Sequence, residues 1–185
     1  MLVRFFKPFG VLSQFQDPDR PTLADYIALP GIYPAGRLDM TSEGLLLLTD
    51  SGALQARISQ PRYKLEKVYL AQIEGTADPA LAQALTNGVT LKDGMARASW
   101  ARLTDAPQLP KRNPPVTPHR AANSQWVELA LTSGRNRQVR RMLAALGHPV
   151  LRLVRTQIGP WTLAGLEPGQ AQTVPAEEER RLWQR

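Results

Sequence analysis

The 185-residue chain has no cysteine and only two histidines. Without cysteine it can form no disulfide, no thiolate metal site and no thiol nucleophile, a composition that fits a cytoplasmic protein. His119 lies in a proline-rich segment and His148 in a Gly-His-Pro turn, which leaves too few imidazoles for a His-based triad or a metal cluster. Neither a phosphate-binding P-loop nor a G-x-G-x-x-G fingerprint is present, so no nucleotide cofactor is expected, nor any other. No apolar run reaches the eighteen or so residues of a membrane span. The opening MLVRFFKPFG breaks at Pro8 and Gly10, too early for a secretory signal. A hydrophobic fraction of 43% at this length supports one well-buried core, or at most two small lobes.

Acidic residues are also in short supply. Sixteen Asp and Glu face 23 Lys and Arg, for a net charge of +7 and a pI near 10.2. Most of the excess is arginine, whose planar fork binds phosphate and stacks on bases, so the partner expected is nucleic acid. An anionic membrane surface is the competing explanation. No basic amphipathic helix with an aromatic apolar face supports it.

Along the chain, Leu2 to Phe6 reads as a strand ended by Lys7-Pro8-Phe9-Gly10. A short helix fits around Leu23 to Ala28 within an Asp-, Pro- and Gly-rich stretch. Leu45 to Thr49 is a short apolar run bounded by turn residues and reads as a fully buried strand. Asp50 or Ser51 can cap a helix to about Gln60, stopped by Pro61. Val68 to Ile73 is strand-like, and Asp78 with Pro79 opens a helix that Asn87-Gly88 closes. Val89 to Leu91, the Asp93-Gly94 turn and Met95 to Leu103 suggest a hairpin, and Trp126 to Thr132 another strand. Asp105 to Gln125, with five prolines, reads as a long basic loop. A helix over Asn136 to Leu146, a strand over Val150 to Val154 and a terminal helix from Ala176 to Gln184 complete the pattern. Strands and helices do not alternate as βαβ units, so the expected fold class is α+β with a mixed, mostly antiparallel sheet.

Three segments concentrate chemistry. Asp39 sits in AGRLDMTSEGLLLLTDSG, directly ahead of the buried strand. It is either an ordinary turn aspartate or a carboxylate presented on an anchored loop. Lys67-Val68-Tyr69 starts a strand. In SGRNRQVRRML, Val139, Met142, Leu143 and Leu146 share one helical face, with Arg137, Arg140 and Arg141 opposite. Four arginines in seven residues at a helix start oppose the helix dipole and call for a compensating anion, either RNA phosphate or a site carboxylate.

Taken together, GRLD with its following EGLLLLT, the K-x-Y strand, GRNRQVRRM and the L-x-R-x-x-I-G pattern of Leu153 to Gly159 resemble, in this order, the motifs of pseudouridine synthases. The branch resembled is the one that modifies bacterial ribosomal RNA. KPFGVLSQF at Lys7 to Phe15 resembles that branch's N-terminal motif. Met40 stands where arginine often follows the aspartate in relatives. The resemblance implies a single catalytic domain over residues 1–185, lacking the small N-terminal S4 RNA-binding domain of most relatives. It implies isomerisation of a uridine in large-subunit (23S) ribosomal RNA, without cofactor, by a monomer. Asp39 would be the catalytic carboxylate, acting as nucleophile or base, with Arg140 as its cationic partner and Tyr69 as the ring that stacks on uracil. Arg37, Arg135, Arg137 and Arg141 would contact RNA phosphates, with Lys111, Arg112 and Arg120 a weaker group. A non-catalytic RNA-binding assembly factor, or the same chemistry on another RNA, are the alternatives.

Overall fold

Four consecutive leucines leave a strand with no polar face, so it must be covered on both sides. The computed structural model describes residues 1–183, the side chain of Arg181 excepted. Its strands are β1 (Leu2–Lys7), β2 (Tyr33–Pro34), β3 (Glu43–Thr49), β4 (Lys67–Glu74), β5 (Val89–Leu91), β6 (Gly94–Ala96), β7 (Trp100–Thr104), β8 (Ser124–Leu131), β9 (Val150–Ile158), β10 (Trp161–Thr162) and β11 (Ala171–Thr173). Its α-helices are α1 (Gly52–Ser59), α2 (Ala80–Asn87), α3 (Pro118–Ala122), α4 (Gln138–Ala145) and α5 (Ala176–Arg180). All of β3 is buried. Leu45 and Leu47 pack with Leu2, Leu54, Ile58 and Trp161 on one face; Leu46 and Leu48 pack with Val3, Phe5, Val11 and Leu23 on the other.

The main sheet runs β11-β1-β3-β9-β4-β8-β7, with β2 beside β3 and β10 beside β9. Its pairs are antiparallel except β3 with β9, which gives the mixed, mostly antiparallel α+β architecture. A third core lies where α2 and α4 bring Leu85, Val139, Met142 and Leu143 against Ile73, Val127 and Leu129. The parallel β3–β9 junction joins these parts. There the Gly44 backbone is left-handed (φ +108°), and a Cβ on it would run into the Arg155 carbonyl. Only glycine fits there. No helix of the described residues is long and apolar enough to cross a membrane.

Local signals decide several boundaries. Ser51 Oγ accepts from Leu54 N at 3.4 Å to cap α1, and the Asp78 carboxylate accepts from Ala80 N at 2.7 Å ahead of α2. Elsewhere the structure departs from expectation. The helix expected over Leu23 to Ala28 is one 3-10 turn, Leu23–Asp25, held by a Thr22/Asp25 capping box; a segment this short does not repay α-helix nucleation. The hairpin after Asp93 ends at Ala96. The chain then crosses sheets, Ser99 N donating to the Ala130 carbonyl, and β7 pairs with β8. The long loop from Asp105 gives way to α3, where Pro118 takes the first helical turn, and β8 has begun by Ser124. β9 continues past Val154 to Ile158 because neighbours on both sides pair with it through Arg155. The expected terminal helix breaks into α5 and a 3-10 turn, Arg181–Trp183; its expected end at Gln184 lies outside the described residues.

Candidate active site

Asp39 is carried on a braced loop. Ser42 N donates to the Asp39 carbonyl at 3.0 Å, closing the turn into β3. The N-terminal KPFGVLS segment holds the other side. Gly10 N donates to the Met40 carbonyl at 2.8 Å, and Ser13 Oγ donates to the Leu38 carbonyl at 2.7 Å while accepting from Leu38 N at 3.1 Å. Lys7, fully buried, donates to the carbonyls of Pro8, Val11 and Met40 at 2.8, 2.7 and 3.4 Å. Three carbonyl acceptors match the three N–H groups of an ammonium. Burial lowers the Lys7 pKa to about 7, while Glu43 and Asp39 favour its charge.

The loop opens onto a cavity of about 420 Å³ lined by Asp39, Lys67, Tyr69, Arg137, Leu153 and Arg155, among others. That is within the roughly 300–1,000 Å³ that small-ligand pockets occupy. Tyr69, the third residue of β4, packs into the third core while lining this cavity. It is only 9% exposed, so its ring is fixed in place. Asp39 meets Arg137, whose Nη1 lies 3.2 Å from Oδ2. Arg137 is held in the left-handed region (φ +49°) immediately before α4. A non-glycine residue there is unfavourable by roughly 1–2 kcal/mol, and such strain gathers at functional sites. Gln138 shapes this turn: its buried side-chain carbonyl accepts from Ser133 Oγ at 2.9 Å and Arg135 N at 3.1 Å. Helix α4 therefore starts at Gln138, two residues later than expected.

The sequence-nominated cations separate into different settings. Arg140, nominated as the partner of Asp39, instead donates to the Thr41 carbonyl at 3.0 Å and to Ser42 Oγ at 3.3 Å, bracing the loop from the far side. Burial lowers its pKa, and the Asp39 charge acts the other way. The ion pair passes to Arg137, expected at phosphate, whose left-handed backbone sets it outside the helix that carries Arg140. Arg135 and Arg141, expected at phosphates, both bind Asp93 at the β5–β6 turn, at 3.2 and 2.8 Å. Arg141 holds the Asp93 carboxyl below its ordinary value. Arg37 is exposed at the cavity mouth and donates to Gln14 at 3.1 Å. Of the weaker group, Arg120 pairs with Glu74 at 2.8 Å and Arg112 stacks on Phe9 at 4.4 Å. Lys111 is exposed.

Lys67 and Arg155, expected only as members of the K-x-Y and L-x-R-x-x-I-G patterns and not as site residues, are 6% and 3% exposed and line the cavity. Nor did sequence reasoning single out the buried pair of Glu43 and Arg152, 2.9 Å apart. The signal was present: lone charges inside runs such as LRLVRTQI cannot all reach water, and buried charges need a reason.

A carboxylate on an arginine, a buried aromatic ring and further cations lining one cavity suit a flat, polar ring. Residues 3–145 match the RNA pseudouridylate synthase family. The chain is 53% identical over 174 residues to a ribosomal large subunit pseudouridine synthase E of Xanthomonas campestris, covering 92% of this chain and 93% of that protein. A protein of the same name from Vibrio parahaemolyticus is 47% identical over 170 residues, 91% of this chain and 71% of the relative. Among solved structures, a pseudouridylate synthase superposes with a TM-score of 0.79 at 29% identity, covering 98% of this chain and 73% of that one. Motif order, cavity chemistry and these likenesses agree, and the chain belongs to the RNA pseudouridylate synthase family.

Proposed function

We propose that the protein isomerises a specific uridine of large-subunit ribosomal RNA to pseudouridine, as a cytoplasmic monomer that needs no cofactor. The observation that carries this reading is the meeting of Asp39, its Arg137 counter-charge and Tyr69 around one nucleoside-sized cavity. The reaction cleaves the bond from ribose C1′ to uracil N1, turns the ring and rejoins it through C5. A stacked base cannot reach the cavity, so the uridine is flipped in at about a few kcal/mol. Tyr69 then stacks on the ring, Asp39 acts on the sugar, and Arg37 at the cavity mouth meets backbone phosphate. The names of the relatives support ribosomal RNA as substrate. Mapping pseudouridines in ribosomal RNA from cells lacking this protein tests the reading. One large-subunit site should disappear, and it should return with the wild-type protein but not with Asp39→Asn. An unchanged large-subunit map refutes it, and a site lost from transfer RNA would redirect it.

Arg137 and Arg140 should fail differently. Arg137 and Asp39 are 47% and 32% exposed, so their pair adds little to stability in the free enzyme. Once RNA excludes water the same pair strengthens. Arg137→Ala should leave the melting temperature nearly unchanged and slow single-turnover conversion by about tenfold to a hundredfold, roughly 1.4–2.8 kcal/mol. Arg140→Ala removes charged hydrogen bonds to the loop, each worth about 1.5–3 kcal/mol, and should lower stability together with rate. Full activity in Arg137→Ala, with loss confined to a stable Arg140→Ala, would return the ion pair to Arg140.

Tyr69 separates ring from hydroxyl. No hydrogen bond ties its hydroxyl to another group among the described residues. Tyr69→Phe should therefore fold normally and keep RNA affinity. Tyr69→Ala loses stacking worth roughly 1–3 kcal/mol and leaves a core void. If the hydroxyl moves a ring proton, single-turnover rates fall in the Phe variant as well. A fully active Phe variant beside an unstable Ala variant would reduce Tyr69 to a packing residue.

A further inference from the structure

The cavity wall carries more positive charge than Asp39 can answer. Arg37, Lys67, Arg135, Arg137 and Arg155 line it, against the single carboxylate of Asp39. Asp39 is taken by Arg137 and Arg135 is taken by Asp93, while Arg37 reaches solvent. Lys67 and Arg155 remain, both buried and without an acidic partner among the described residues. Lys67 Nζ donates to the Leu65 carbonyl at 3.1 Å. Arg155 Nε donates to the Leu45 carbonyl at 2.8 Å, and its buried Nη2 has no partner. Arg155 is directly opposite Tyr69 across β9 and β4, and opposed residues share a face of the sheet. An orphaned guanidinium N–H beside a second unpaired cation, next to the ring meant to stack on the base, is an unfavourable arrangement in the empty protein. It becomes favourable once an anion arrives.

We propose that Lys67 and Arg155 form a cationic floor that stabilises the uracil anion released when the glycosidic bond breaks. The inference rests on the uridine chemistry proposed above. Whether Asp39 attacks C1′ or removes a sugar proton, the C1′–N1 bond pair leaves with uracil. The charge spreads over N1 and the carbonyl oxygens O2 and O4. C5 then bonds to C1′ and loses its proton, and N1 takes one up, so atoms and electrons balance without a co-reactant. The anion exists only between cleavage and rejoining. Cations that favour it over neutral uridine lower the barrier without tightening ground-state binding. Burial and the Arg155 charge lower Lys67 to about 8, the direction expected of a cation still lacking its anion.

Fluorine at C5 tests this, because it withdraws charge from the ring and makes the anion less dependent on external cations. It also blocks the final C5 deprotonation, so disappearance of the starting nucleoside reports cleavage alone. Single-turnover cleavage is measured on large-subunit RNA fragments carrying uridine or 5-fluorouridine at the target, with wild type, Lys67→Met, Arg155→Met and Arg155→Lys. Lys67→Met and Arg155→Met should lose roughly a hundredfold on uridine, the scale of removing one oxyanion donor, and distinctly less on 5-fluorouridine. RNA affinity and its salt dependence should stay at wild-type values. Should Arg155→Met fail to fold, Arg155→Lys carries the test, with a smaller loss and the same substrate bias. Equal losses on both substrates would make these residues structural and overturn the proposal. Weaker binding with a shallower salt slope and unchanged cleavage would assign them to phosphate instead. A wild type that turns over no large-subunit fragment would remove the underlying uridine reading, an outcome visible without the variants.

Discussion

Asp39→Asn should abolish pseudouridine formation, by about 10,000-fold or more, the scale on which removing a nucleophile or its base acts in other enzymes. The amide is nearly isosteric but can neither attack the sugar nor take a proton from it. Folding should survive, because the loop is held through backbone groups. The Leu38, Asp39 and Met40 carbonyls are bound by Ser13, Ser42 and Gly10, and none of these bonds uses the Asp39 carboxylate. What is lost is the pair with Arg137, partly exposed on both sides and worth no more than about 1 kcal/mol. RNA affinity should hold or improve slightly, since a negative charge leaves a cavity that receives a polyanion. Single-turnover conversion at saturating enzyme, read beside the melting temperature and the RNA dissociation constant, checks all three. Substantial turnover by a folded Asn variant would remove Asp39 from the chemistry.

Legibility followed periodicity. The strand at Leu45 to Thr49, the capped helix behind Ser51, the Asp78 start and the apolar face of α4 were all readable, because short-range rules govern them and the structure obeys those rules. The site was readable as a set of segments. Asp39, Tyr69 and the arginine-rich turn do line one cavity. Which arginine meets Asp39 was not readable. On a regular helix from Asn136, Arg137 and Arg140 are near neighbours on one side, and only the left-handed backbone at Arg137 separates their reach. The pairing of Arg135 and Arg141 with Asp93 was hidden for a different reason: those residues lie more than forty positions apart, joined by the β5–β6 hairpin folding back on α4. The same holds for Lys7. Its partners are carbonyls, which leave no trace in side-chain identity.

Breaking the buried pair of Glu43 and Arg152 should be the most damaging change to stability outside the apolar core. The two groups meet through paired bonds of 2.9 Å, and their side chains are 4% and 10% exposed. Glu43 opens β3 and Arg152 lies on β9, so the pair sits at the parallel junction that carries the Asp39 loop on one side and the cavity floor on the other. Arg152 also donates to the Pro110 carbonyl at 2.8 Å, and Arg112 to the Leu151 carbonyl at 3.0 Å, tying the proline-rich loop to the same strand. Glu43→Gln keeps shape and one acceptor but strands a buried guanidinium. The expected cost is about 3–5 kcal/mol. It should appear as a lower urea midpoint with an unchanged slope. Adding Arg152→Met removes the stranded charge, so the double variant should recover much of the loss, as a coupled pair requires. Catalysis should follow stability only in the single variant, where the displaced arginine pulls on the strand that positions Arg155. A Glu43→Gln protein as stable as wild type, or a double variant weaker by the sum of both single losses, would mean that the pair is not what fixes the junction.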